Sequence, residues 1–184
     1  LLQNGVNSGF LTLENQNFDP GPNDLVLSRN VPARLASKLT SFINTKLYKS
    51  TYFSLFSYSN LTPRKLKKFG VDQKTVLHLH NWFNLLNHRS LRNLLGLGFR
   101  VVITLHDERF YTGGCHYSLQ CSNFTQTCSH CPLIPKSSFQ FLINRNHRNL
   151  KRLVETYNRQ LTFIAPSQWI MDQAKMSSIL RNAH

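Results

Sequence analysis

Residues 76–107 read VLHLHNWFNLLNHRSLRNLLGLGFRVVITLHD, and this stretch decides the fold class. The segments VLHL at 76–79 and VVITL at 101–105 are short apolar runs with the composition of strands buried on both faces. Between them, the leucines of FNLLNHRSLRNLL at 83–95 fall roughly on one helical face, and Gly96 is a stop signal for a helix. The stretch therefore predicts a strand, a helix and a second strand.

The same alternation extends in both directions along the chain. TFIA at 162–165 predicts a third strand, and Ser167 is a suitable N-cap for a helix in the residues that follow. Upstream, VPARLASKLTSFINTKLY at 31–48 has helical spacing, and YFSLF at 52–56 is a candidate strand. Strands that alternate with helices favour an α/β fold with a Rossmann-like parallel sheet covered by helices on both faces.

The length and the ends of the chain bear on its domain organisation. A chain of 184 residues suits one domain, so we expect a single Rossmann-like domain over 1–184. Its first ten residues, LLQNGVNSGF, lack a starting Met, a basic region and an apolar signal region. We therefore expect a fragment, with a cytoplasmic location.

The charge is strongly positive, with 22 Lys and Arg against 8 Asp and Glu, a formal net charge of +14. Nucleic acid, anionic lipid and phosphorylated substrates are the natural partner classes. From Leu25 to Val71 there are nine basic residues and no acidic one, and the densest run is RKLKK at 64–68. That run is typical of a solvated helix face, with a patch that meets lipid or a polyanion as the alternative.

A cysteine-rich loop is predicted over 110–138. All four cysteines of the chain lie in it, and the last two form a C-x-x-C step that lets two thiolates grip one ion. Four sulfurs satisfy a structural Zn²⁺ but leave no open position for catalysis, while two disulfides, free thiols or an iron-sulfur cluster are alternatives. The candidate metal ligands are Cys115, Cys121, Cys128 and Cys131.

Polar residues follow each predicted strand. His80, Asn81 and Trp82 follow the first, His106 and Asp107 follow the second, and Pro166 and Ser167 follow the third. Because the carboxyl ends of parallel strands share one edge of a sheet, we expect these residues to line one crevice.

Four motifs in order resemble a known family. VLHLHNWFNLL, VVITLHDERFYTGGCHYSLQC, CSHCP and FIAPSQWIMDQAKMSSIL are similar to the amino-terminal domain of bacterial glycosyltransferases of family four, of the colanic-acid and exopolysaccharide type. The resemblance covers roughly residues 52–180. It implies one half of a GT-B enzyme, the half that mostly binds the acceptor. The carboxyl-terminal domain that holds the nucleotide-sugar is expected to be absent from this chain.

The resemblance also implies a reaction, the transfer of a sugar from a nucleotide-diphosphate sugar to an acceptor hydroxyl with retention of configuration. His106 matches the strand-end histidine thought to contact the donor sugar or the reacting centre. Asp107 would orient the acceptor hydroxyl or the imidazole. For His106, the structural alternative is a histidine satisfied within the fold.

Further residues are candidates for substrate binding, each with a structural alternative. His80 and Asn81 can hydrogen-bond a sugar or fix their loop, and Trp82 can stack on a pyranose or belong to the core. The remaining candidates are Arg109 for a phosphate, Gly113 and Gly114 for a tight turn or close ligand approach, and Ser167 for a helix cap or a phosphate.

The expected partners follow from this reaction. They are a sugar or lipid-linked saccharide acceptor, the chain's own carboxyl-terminal domain and the anionic inner face of a membrane. No redox cofactor is expected. Two rival readings stay open: a non-catalytic glycosyltransferase remnant, and a zinc-stabilised basic module for nucleic acid, which the spread of the charges disfavours.

Overall fold

Short strands and longer helices alternate along the computed structural model. It describes residues 8–13, 19, 24–27, 31–48, 54–55, 57–59, 61–82, 85–134 and 140–183. In chain order the elements are strands β1 (Leu11–Leu13) and β2 (Leu25–Leu27), helices α1 (Val31–Tyr48) and α2 (Pro63–Lys68), strand β3 (Val76–Leu79), helix α3 (His88–Gly96), strand β4 (Arg100–Thr104), helix α4 (Gln140–Tyr157), strand β5 (Leu161–Ile164) and helix α5 (Gln168–Met176), with 3-10 turns at Arg109–Tyr111, Asn123–Thr125 and Asn158–Gln160.

The described residues form two parallel sheets. The larger has the order β3-β4-β5, with Leu79 beside Ile103 and Thr104 beside Ile164. The smaller pairs β1 with β2. The architecture is therefore mixed α/β, with parallel sheets of two and three strands flanked by helices. In the larger sheet, the residues that follow β3 and β4 meet at one edge.

The hydrophobic core includes leucines of helix α3 and branched side chains of the central strand β4. Leu91, Leu94 and Leu95 are buried, as are Val101 and Ile103. Burial of each such side chain contributes on the order of 2 kcal/mol relative to exposure, which explains why the leucine spacing was a reliable helix signal.

The predicted strands and helices are found with small shifts. Strand β3 has the predicted bounds, and strands β4 and β5 begin and end one residue earlier than predicted. Helix α1 has the predicted bounds. Helix α4 was not anticipated. The candidate strand at 52–56 lies mostly outside the described residues, and its described pair 54–55 is not in a strand.

Helix α3 begins five residues later than its apolar pattern suggested. Asn87 is its N-cap, since the Asn87 side chain accepts a hydrogen bond from the Ser90 N–H at 2.9 Å. Just before it, the N–H groups of Leu85 and Leu86 both donate to the Trp82 carbonyl and form a turn. A strong cap therefore overrode the hydrophobic periodicity in deciding where the helix starts.

The basic run forms the short helix α2, in which Leu66 is fully buried while Arg64, Lys67 and Lys68 are exposed. Within the part of the chain that the structure describes, no helix combines the length and apolar character that crossing a bilayer requires.

Candidate functional site

Two histidines meet at the carboxyl edge of the larger sheet. His80 follows β3 and His106 follows β4 closely, and both side chains are exposed. His80 Nδ1 lies 2.9 Å from His106 Nε2, and the ring centroids are 5.2 Å apart. We call His80 and His106 the histidine rim. Its formation follows from the parallel register, which brings these two strand ends side by side.

The surroundings of His80 favour its uncharged form. Desolvation first, and then the neighbouring His78 and His106, lower the pKa of His80 below its ordinary value. The His78 ring lies tilted beside that of His80, with centroids 4.2 Å apart, and its Nε2 lies 2.8 Å from Thr104 Oγ1. In the bonded rim pair one ring nitrogen donates and the other accepts, so at least one imidazole is suited to take a proton from a hydroxyl.

Asn81 and Trp82 connect the rim to the core. Asn81 is exposed and adopts a left-handed backbone with φ of 43°, which asparagine tolerates better than most residues. Trp82 is only 4% exposed and its ring packs near those of His88 and Phe110. A small cavity at the rim is lined by Asn81, Trp82, Leu105, His106, Asp107 and Phe110 among others.

Asp107 is held by a histidine that sequence reasoning did not assign to the site. Its Oδ2 lies 2.6 Å from His116 Nδ1, and His116 Nε2 lies 2.7 Å from Ser54 Oγ. The Asp107 Oδ1 also accepts from the Arg109 N–H at 3.0 Å. Nothing in the spacing of these residues announces the contact, because Ser54 is 62 positions before His116.

This Asp, His and Ser chain has the order found in activated serines, yet its surroundings are those of a structural link. The Ser54 N–H donates to the Gly114 carbonyl at 2.9 Å, and the Gly114 N–H donates to Thr112 Oγ1 at 3.2 Å. These donors are thus engaged within the fold and do not form an oxyanion hole. The contacts among Asp107, His116 and Ser54 instead connect residues 54–55 to the segment behind the rim.

Arg109 lies inside the protein, where its Nε donates to the Ser54 carbonyl at 2.8 Å. Burial lowers its pKa to about 9, against the opposing effect of Asp107, so the guanidinium remains charged at neutral pH. The neighbouring Glu108 is 1% exposed, accepts hydrogen bonds from the Ser118 N–H and Oγ, and has a pKa raised by burial. Both side chains serve the interior rather than the rim.

The two glycines are also interior. A Cβ on Gly113 would lie 2.5 Å from Ile143 Cγ2 and 2.8 Å from Cys128 Cβ, so only glycine fits. Gly114 has a φ of 139°, a conformation that side chains rarely adopt. The close approach that the Gly-Gly pair allows is therefore to the protein itself.

Ser167 is exposed and caps α5, since its Oγ accepts a hydrogen bond from the Ile170 N–H at 3.3 Å. Ser167 therefore acts as a helix cap, which is one of the two roles expected for it.

The His88 side chain lies near Trp82. Its Nδ1 lies 3.0 Å from Asn146 Oδ1, and burial lowers the pKa of His88 to about 4.

The four cysteines line one small cavity together with Phe124 and Ile143. Cys115, Cys128 and Cys131 are buried, Cys121 is partly exposed, and none of them forms a disulfide. The Gly113 N–H donates to Cys128 Sγ at 3.1 Å. A hydrogen bond between Cys115 and Cys131 lowers the pKa of Cys131 to about 7 and raises that of Cys115, while burial raises the pKa of Cys128 to about 12.

In the described residues, no three or more His, Cys, Asp or Glu side chains are grouped so that they could hold a metal ion. The structural Zn²⁺ therefore stays a prediction. It rests on the cysteine spacing and on the shared cavity.

The chain has no detectable match among protein families, curated proteins or solved structures. The likeness of its motifs to family-four glycosyltransferases accordingly stays a prediction.

Proposed function

We propose that the chain is the acceptor-side part of a glycosyltransferase that uses a nucleotide-diphosphate sugar. The observation that carries the proposal is the histidine rim, because two exposed imidazoles 2.9 Å apart stand at the carboxyl edge of a parallel sheet. In open α/β sheets this edge is where ligands bind. Two of the four motifs that resemble family-four enzymes, VLHLHNWFNLL and VVITLHDERFYTGGCHYSLQC, run through the same strand ends.

The finer architecture belongs to the same proposal. The parallel order β3-β4-β5 with flanking helices is what one Rossmann-like half of a GT-B enzyme would contain. Residues 110–138 would then be a cysteine-rich insertion between β4 and α4. The nucleotide-sugar would be held by a second domain, and the protein would work in the cytoplasm.

Each rim residue has a role in the proposed reaction. The acceptor hydroxyl oxygen forms a bond to the anomeric carbon as the bond from that carbon to the diphosphate breaks. His106 orients this hydroxyl or the donor sugar, and His80 holds the His106 ring through their hydrogen bond. The hydroxyl proton passes to a rim nitrogen or to the departing diphosphate.

Asp107 acts through His116 in this scheme. Its carboxylate is engaged by His116 and by the Arg109 N–H, so it fixes the backbone that carries His106. Asp107 is therefore a positioning residue in the proposal. Asn81, at the lip of the rim cavity, is placed to hydrogen-bond a sugar hydroxyl.

The test is sugar transfer by the complete gene product with a panel of nucleotide-diphosphate sugars and saccharide acceptors. We expect His106→Ala to lower kcat by about a hundredfold or more, as for loss of a group that acts on the reacting proton. His130→Asn, a change of an exposed histidine in the cysteine-rich loop, is the matched control.

Two outcomes would contradict the proposal in different ways. Turnover unchanged by His106→Ala would remove the rim from the chemistry. Saccharide binding without transfer from any donor would favour the non-catalytic remnant, and tight salt-dependent binding of single-stranded RNA in place of saccharide would favour the nucleic-acid module.

A further inference from the structure

Helix α1 carries its apolar side chains outward. Leu35, Leu39 and Phe42 are 63%, 58% and 59% exposed. Their spacing of four and three residues puts them on one face of the helix, which we call the α1 outer face. An amphipathic helix ordinarily turns such a face toward a core, so its exposure calls for a partner.

The opposite side of α1 is the one that the protein uses. Ser37, Thr40 and Asn44 are partly buried, and the Asn44 Oδ1 accepts a hydrogen bond from the Leu55 N–H at 3.1 Å. This hydrogen bond holds that side of the helix toward residues 54–55. The outer face cannot be buried by rotating α1 without losing this attachment.

Lysines accompany the outer face. Lys46, four residues after Phe42, lies on that face with its Nζ 5.9 Å from the centre of the Phe42 ring, and Lys38 at its border is exposed. Helix α1 contains no acidic residue, and the whole stretch from Leu25 to Val71 contains none. The face thus combines apolar and positive groups with no local negative charge.

The combination of exposed apolar side chains and lysines favours a membrane surface over a protein surface as the partner. A protein surface that covered the face would also bury Lys46, and a buried ammonium needs a carboxylate of its own. At a bilayer surface, Leu35, Leu39 and Phe42 would enter the acyl boundary while the lysines extend to anionic headgroups. We propose that the α1 outer face binds the surface of a membrane containing anionic phospholipid, with α1 lying in the interface.

The attachment of α1 links the helix to the segment behind the rim. Asn44 holds Leu55, and the adjacent Ser54 bonds His116, which in turn bonds Asp107 beside His106. A lipid-linked saccharide is the acceptor class that this arrangement suits. That last step rests on the proposed function, whereas binding to the bilayer does not.

The test is co-sedimentation of the chain with vesicles of phosphatidylcholine alone and of phosphatidylcholine mixed with phosphatidylglycerol, without sugar donor or acceptor. We expect binding to the mixed vesicles that weakens as salt rises. Phe42→Ser combined with Leu39→Ser should lower the partition coefficient by about tenfold or more, and Lys38→Glu with Lys46→Glu should abolish the preference for anionic lipid.

The chain offers matched controls. Phe141 in α4 is 60% exposed, so Phe141→Ser removes an equally exposed ring elsewhere, and Lys175→Glu reverses an exposed charge on α5. Each should change partition by no more than about twofold. Circular dichroism on every variant checks that the helices are retained.

Three results would overturn the proposal. They are no binding to the mixed vesicles, equal binding with and without anionic lipid, and a loss with Phe141→Ser as large as with Phe42→Ser. A dimer in solution that Phe42→Ser dissociates, with no vesicle binding, would assign the face to a second copy of the chain instead. Because no turnover is measured, failure here leaves the proposed function standing.

Discussion

The histidine rim and the segment 108–115, which leads into the cysteine-rich loop, are neighbours in sequence and differ in burial. His106 is exposed, and from Glu108 to Cys115 every residue is buried. The change from exposed to buried side chains occurs at Asp107, whose carboxylate contacts His116 in the loop. Groups that meet a ligand must be open to solvent, whereas groups that hold the rim in place gain stability from burial. The comparison separates residues expected to affect chemistry from those expected to affect folding.

The largest effect should come from the four cysteines. We expect about one Zn²⁺ per chain by elemental analysis, because the spacing of the four cysteines, which line one cavity, suits tetrahedral zinc. Structural zinc binds with apparent energies on the order of 10 kcal/mol, so Cys128→Ser or a strong chelator should unfold the loop and lower the midpoint of thermal unfolding.

Ser122→Ala, an exposed change in the same loop, is the control and should retain the metal. Metal-free, fully folded protein in which all four thiols react with a thiol reagent would contradict the zinc prediction. The loop would then be held by packing and hydrogen bonds alone.

A smaller effect is expected from Gly113→Ala. The added methyl would overlap Ile143 and Cys128 at 2.5 and 2.8 Å, and overpacking of this kind costs about 1–3 kcal/mol. Urea unfolding measures the loss. Gly96→Ala is the matched control, since its nearest contact would be an acceptable 3.4 Å to Tyr157 Oη and alanine favours the helix. Equal stability of the two variants would mean that the loop is not packed against α4 as described.

The smallest effect concerns the rim itself. His80 should titrate below the ordinary histidine pKa, and His106→Ala should raise the pKa of His80 toward that value by removing one neighbouring charge. Histidine resonances followed by NMR against pH measure both values. Because His80 and His106 are exposed, the free energy of unfolding should change by no more than about 0.5 kcal/mol. A large loss of stability, or a His80 pKa that falls, would place the rim with the structural residues.

Much of the larger sheet could be predicted from the sequence. The runs VLHL, VVITL and TFIA identified its three strands within one residue, because apolar composition and chain punctuation are local signals. Ser167 was recognised as a cap for the same reason. A shared crevice for the residues after β3 and β4 was expected too, since parallel strands end at one edge, but the contact between His80 and His106 was not predicted.

Other parts of the site could not be read in this way. The start of α3 at His88 depended on whether the Asn87 cap or the leucine pattern would win. Burial of Arg109, Gly113 and Gly114 depended on how the chain turns after β4, for which the sequence carries no periodic signal.

The sequence by itself thus determined the three strands of the larger sheet, helix α1 and the shared edge at which His80 and His106 lie, because these depend on contacts between near neighbours or on one simple topological rule. Strands β1 and β2 and helix α4 were not predicted. Only the tertiary structure decided that Asp107 belongs to His116 and Ser54, that Gly113 is required by Ile143, and that α1 presents its apolar side to the exterior. These are contacts between segments tens of residues apart, or their absence at a surface. Such contacts are fixed by the packing of the whole chain, and no local pattern records them.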